Sequence, residues 1–227
     1  MPKISHSFVI QQAYNQIQNN IINGTLLPEQ SLSLVGLSDQ LKIEKMVTQK
    51  VLCDMAASGL ITTNNDGTFN FNKITESMIR ETYRDLLQIE DMAIAQSIKN
   101  WTPAWQEGIK KALQELENAL NQPGDPLVDI ITERIYKFHY SIIANCNCPT
   151  LFERRLNIYQ QYTTFIKIFV TSLPTRTQQL RHQKEHRMIA QAALNKDAKT
   201  TCRLNHYHLL ATFKPVLNAF KKINKRK

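Results

Sequence analysis

The chain has 227 residues, enough for one large or two modest domains with a real core. Its 42% hydrophobic and 21% charged residues are an ordinary globular composition, and no apolar run reaches bilayer-spanning length. The formal charge of +9 suits an anionic partner, yet its placement argues against using it as the signal: residues 1–73 carry five Lys and five acidic residues, net zero. The surplus lies beyond residue 73, and Lys221, Lys222, Lys225, Arg226 and Lys227 supply five charges of it.

The N-terminus has no secretory apolar core, so a cytoplasmic location is expected. Cys53, Cys146, Cys148 and Cys202 are scattered, and in a reducing compartment all four read as free thiols.

Ile10, Tyr14, Ile17 and Ile21 recur at helical spacing and predict a helix over 7–22, ended by Asn23-Gly24. Leu26, Leu27 and Leu32 bracket Pro28 as a short extended link. Ser33 is placed to cap a second helix carrying Leu34, Leu37 and Leu41. Lys42-Ile43 makes a tight turn into a third helix, Lys45 to Ser58. Thr48, Val51, Leu52 and Met55 face inward there, and Gly59 stops it. Ile61–Thr63 and Thr68–Phe71 flank an Asp-Gly turn, which predicts a hairpin.

Helix, helix, turn, helix, hairpin is the order of a winged helix-turn-helix. Its third helix fits the major groove of double-stranded DNA, where Lys can donate to guanine, Gln can bond adenine and Glu can accept from cytosine. The outward residues are Glu44, Lys45, Met46, Gln49 and Lys50, with Asp66 and Gly67 at the wing tip. These seven are the candidate DNA-binding set. The bland reading is a small winged domain used for protein contacts.

Beyond Asn72-Lys73-Ile74 the pattern is helical throughout. Thr75 caps a long helix to about Lys99, and Thr102-Pro103 starts a second, broken at Asn121–Gly124. Asp125-Pro126 and Pro149 start two more. Pro174 precedes a fifth over Thr177–Leu194. Asp197 opens the last, which runs to Phe213 and is kinked or restarted by Pro215. The expected fold is therefore mainly α, with a winged helix-turn-helix over 1–73 and a bundle of six or seven helices over 74–227.

Histidines are the candidates for chemistry in the bundle: His139, His186 and His208, with His182 one turn before His186 on the same helical face. A lone histidine is usually a surface or hydrogen-bonded one, so spacing alone raises the odds of a metal only modestly.

The stretch G-x-L-x-P-x-x-x-L at Gly24–Leu32, followed by S-x-x-x-L-S-D-Q-L and an apolar helix ending in S-G-L-I, resembles the GntR family of bacterial transcription factors. The departures fall on the groove-facing residues. Lys45 and Gln49 stand at the family's two DNA-touching arginines, and Glu29 replaces a Gly. The resemblance implies a homodimeric regulator, read here as a repressor, on a pseudo-palindromic operator unlike the family consensus.

The second half resembles the helical effector domain of the FadR-type subgroup, called FCD. Its metal-binding members carry Asp-x-x-x-His, then Glu-His, then a His 22 residues on. Phe138-His139, Glu185-His186 and His208 match, and Asp197 matches a helix-starting Asp. Ile135 stands at the metal-binding Asp, and Leu86 stands at an Arg that often precedes Glu90 by one turn. The resemblance implies a small carboxylate effector beside a metal. Two readings of Ile135 stay open: three neutral imidazoles hold Zn²⁺ or Ni²⁺ with an open position, or the pocket is apolar and metal-free. A metal-dependent hydrolase, with Glu185 as base, is a weaker alternative, because adjacent helical residues point apart.

Overall fold

The computed structural model describes residues 6–22, 25–26, 31–57, 59–121, 128–170 and 176–224. The expected features at Asn23-Gly24, Pro28, Ser58, Pro123-Gly124, Asp125-Pro126 and Pro174, and the charges at Lys225–Lys227, lie outside them.

The chain begins with α1 (His6–Ile22), β1 (Ser31–Leu32), α2 (Leu34–Leu41), α3 (Lys45–Ala57), β2 (Ile61–Thr63) and β3 (Phe69–Phe71). This is the expected winged helix-turn-helix order. The expected caps hold it. Ser33 accepts from the Gly36 amide at 2.9 Å at the start of α2. Gly59, at φ +70°, closes α3, with the Leu60 amide donating to the Met55 carbonyl and the Gly59 amide to the Ala56 carbonyl. Those two bonds satisfy carbonyls that a helix end leaves open. Val51, Leu52 and Met55 are fully buried, with Thr48 beside them, and α3 packs against α1, α2 and β2.

The extended link proves to be part of the sheet. β1 pairs antiparallel with β3, so the strand order is β1-β3-β2 and the wing has three strands. The hairpin turn is a three-residue loop: the Asn64 amide donates to Thr68, the Gly67 amide donates to Asn64, and Gly67 sits at φ +77°. A left-handed residue is required at that point of such a loop, and glycine takes it without steric cost.

Six helices follow: α4 (Glu76–Lys99), α5 (Pro103–Leu120), α6 (Val128–Ile143), α7 (Pro149–Phe169), α8 (Arg176–Leu194) and α9 (Ala198–Asn224). Thr75 and Thr102 cap α4 and α5 through their hydroxyls, and Asp197 caps α9 by accepting from the Thr200 amide. Pro215 neither ends nor restarts α9, which runs through it. A proline there removes one helical hydrogen bond at a cost of about 3 kcal/mol. Phe213 and Val216, on either side, are both buried and offset that loss.

Two compact units divide the chain. One comprises Met1–Tyr83, Leu156–Thr171 and Pro215–Lys227; the other comprises Arg84–Arg155 and Ser172–Lys214. The second unit has an apolar core built around Ile94, Trp105, Ile109, Phe138, Ile142 and Ile189. No described helix is long and apolar enough to cross a membrane. All four cysteines are free.

The turn between α2 and α3 generates a stability prediction. Lys42 sits in the left-handed region at φ 55°, while the Ile43 amide closes the turn on the Ser38 carbonyl at 3.0 Å. A side chain there costs roughly 1–2 kcal/mol, part of which glycine's greater unfolded-state freedom takes back. Lys42→Gly should therefore leave stability unchanged or raise it by up to about 1 kcal/mol, and Lys42→Val should lower it. Urea unfolding of the three proteins checks this; a clearly destabilised glycine variant would show that the turn is not strained.

Candidate metal centre

His139, His186 and His208 come from α6, α8 and α9, and each lies on the stripe of its helix that faces the core. His139 shares its face with Ile142 and Ile143, three and four residues on; His186 shares its face with Ile189, Ala190 and Ala193. The helical period that buries those apolar residues therefore buries the imidazoles too. Relative exposures are 5%, 1% and 4%.

The three rings meet. Centroid separations are 4.5 Å for His186–His208, 5.0 Å for His139–His208 and 5.3 Å for His139–His186. One ligating nitrogen from each ring lies within 4.8 Å of the others. Phe138 walls one side, its ring 4.9 Å from His186 and 5.4 Å from His139.

The electrostatics keep two rings neutral. Burial holds His139 and His186 well below the ordinary imidazole range, and repulsion from the neighbouring imidazoles lowers them further. Neutral imidazole is the form that ligates a metal. His186 adds a second observation: neither of its ring nitrogens has a hydrogen-bond partner among the described residues. Leaving a buried polar atom unsatisfied costs roughly 1–3 kcal/mol. A divalent ion on one of those nitrogens would remove one such cost, so this donor set fits Zn²⁺ or Ni²⁺ chemically.

Glu185 has a place that the sequence reading missed. Its Oε2 lies 2.8 Å from His208 Nδ1, and Arg181 Nε lies 3.2 Å from its Oε1. Burial pushes the Glu185 carboxyl up, but the hydrogen bond to His208 and the nearby positive charges outweigh it, and the group stays ionised below its usual range. A carboxylate at Nδ1 orients the His208 ring and leaves Nε2 as the atom that would ligate a metal. The two side chains are 23 residues apart on different helices, so sequence adjacency to His186 disguised the true partner.

Ile135, at the position of the family's Asp, packs half-buried against the apolar core and carries no ligand atom. Glu90 does find a guanidinium, but from another helix. Arg155 of α7, 2% exposed, donates from Nε to Glu90 Oε1 at 2.8 Å. Its guanidinium also sits 5.6 Å from the centre of the Tyr136 ring and helps to lower His139.

The candidate DNA-binding residues belong to the other compact unit. Glu44, Lys45, Met46, Gln49 and Lys50 are all exposed at the N-terminal end of α3, Met46 at 73%. Lys50 pairs with Asp54 at 2.5 Å, one turn on. At the wing tip the Asp66 carboxylate accepts from the Thr68 amide and hydroxyl, and those bonds lower its pKa.

A winged head and a helical unit with three histidines at its centre define a regulator class. Residues 81–211, more than half of the chain, match the FCD domain, and the chain belongs to that family: it is a GntR-family transcriptional regulator with an FCD effector-binding domain. Among curated proteins it is similar to the HTH-type transcriptional regulator McbR of Escherichia coli (strain K12), 21% identical over 201 residues, 88% of this chain and 89% of McbR. The solved structure of E. coli McbR/YncC is 18% identical with a TM-score of 0.58, covering 96% of this chain and 98% of that one. Lar, which controls expression of the Listeria monocytogenes agr system, aligns with a TM-score of 0.63 at 15% identity over 91% of this chain and 95% of Lar. A GntR family member from Pseudomonas syringae pv. tomato aligns with a TM-score of 0.53 at 15% identity, over 97% and 90%. At these identities the structural likenesses speak for the fold.

The buried imidazoles set a pH dependence for the metal-free protein. Their folded pKa values lie below the unfolded value near 6.5, so the unfolded chain binds more protons in acid. Their contribution is complete above about pH 6.5 and is lost as pH falls below it, by roughly 1 kcal/mol per pH unit per histidine. Urea unfolding at pH 7 and pH 5 should show this fall, and His139→Phe should reduce it. Equal stability at both pH values would contradict the neutral, buried state.

Proposed function

We propose that this protein is a homodimeric, ligand-responsive DNA-binding repressor. Residues 1–73 read a pseudo-palindromic operator, and residues 74–227 sense a small carboxylate at a Zn²⁺ or Ni²⁺ ion held by His139, His186 and His208. The observation that carries the sensor reading is His186, fully buried with both nitrogens unpartnered among the described residues. A divalent ion on three neutral ligands keeps its full charge and leaves a position for an anionic oxygen. Binding that favours one arrangement of the dimer would then shift its affinity for DNA.

Glu185 supports a sensor over a hydrolase. Its carboxylate is occupied by His208 on one oxygen and Arg181 on the other, which suits an orienting role better than that of a general base. The metal-free alternative rests on Ile135, which adds apolar surface instead of a carboxylate.

On the DNA side, Lys45 and Gln49 are the exposed residues of α3 best suited to base edges, with Glu44, Met46 and Lys50 beside them and Asp66 and Gly67 on the wing. Loss of one good base contact costs roughly 1–3 kcal/mol of discrimination. With the operator identified by selection from random DNA, Lys45→Ala and Gln49→Ala should each weaken binding about tenfold, read by fluorescence anisotropy. Unchanged affinity in both would remove α3 from the interface. Because the head has no net charge, the affinity should fall only shallowly with salt. One equivalent of metal per chain, lost in His186→Ala, is the matching test of the sensor half.

A further inference from the structure

His182 is the fourth imidazole of this region and has no part in the three-histidine set. It lies one turn before His186 on α8, on the same face, and its ring centroid is 5.4 Å from that of His208. That separation is close to the 5.3 Å between His139 and His186. Unlike the other three it is only partly buried, so it stands toward the solvent side of the cluster. Its Nε2 meets Arg181 Nη2 at 3.0 Å, and Arg181 also pairs with Glu185, the partner of His208. His182 is thus tied to the site's own hydrogen-bond network through the exposed side chain of Arg181. A turn of the imidazole about its side-chain bonds toward the ion would give up the Arg181 contact.

Three protein nitrogens leave a zinc-type ion at least one coordination position short. We infer that His182 fills this position when no anion is bound and is displaced when an anion arrives. This inference rests on the metal reading above and adds its regulation: ligand exchange lets the displaced His182 return to its contact with Arg181. His182 therefore strengthens metal binding and competes with the anion. A residue with a purely structural role would not oppose the two in this way.

The test uses the full-length protein loaded with Co²⁺, whose visible spectrum reports its ligands, and azide as the probe anion. In His182→Ala the affinity for Co²⁺ should fall about tenfold or more, while azide should change the spectrum at a concentration several-fold lower than in the unaltered protein. If the unaltered protein binds no Co²⁺, the three-histidine centre and this inference fall together. If it binds one equivalent and His182→Ala matches it in both affinity and azide response, His182 is not a ligand and the three-histidine centre stands. A fall in Co²⁺ affinity with no gain in azide response also overturns the exchange and leaves His182 a structural neighbour.

Discussion

Desolvation of three imidazoles is the constraint on which the helical unit depends. His139, His186 and His208 occupy positions that the helical period assigns to the core, where Phe138, Ile142 and Ile189 lie beside them. An apolar residue at each position would pack at no polar cost. The chain instead holds nitrogen atoms away from water, two of them on His186 without a partner among the described residues. Such an arrangement opposes stability unless something binds there, which is the physical case for a ligand at this point. The Glu185–His208 bond has the same sense, since it orients one ring with Nε2 left as the atom that would ligate a metal.

The head answers to a different constraint. Its stability is local: caps at Ser33 and Gly59, a glycine at the wing turn, and the buried side of α3. These fix the helix and leave its exposed face free to vary. Glu44, Lys45, Met46, Gln49 and Lys50 occupy that face without an arginine among them.

How far the sequence could be read follows the range of each interaction. Ser33, Gly59, Thr75, Thr102 and Asp197 act on amides or carbonyls within a few residues, and each was legible. The two-residue β1 was not, because it exists only through β3 nearly forty residues away. Pro215 does not restart a helix: α9 runs through it, with Phe213 and Val216 buried on either side. The three histidines were legible as candidates from periodicity and family resemblance. Arg155 beside Glu90 and Glu185 beside His208 were not, since each pair joins different helices over 65 and 23 residues. The guanidinium beside Glu90 therefore comes from Arg155 on another helix and not from position 86.

A divalent ion held by the buried histidines would make metal and folding a linked equilibrium, because the ligands are gathered only in the folded chain. Thermal unfolding of the chelator-treated protein against increasing Zn²⁺ tests this most directly. Stability should rise logarithmically with free Zn²⁺, reaching about 2.7 kcal/mol at a hundred times the dissociation constant, and the rise should disappear in His186→Ala. A melting temperature indifferent to Zn²⁺ in the unaltered protein would contradict the account.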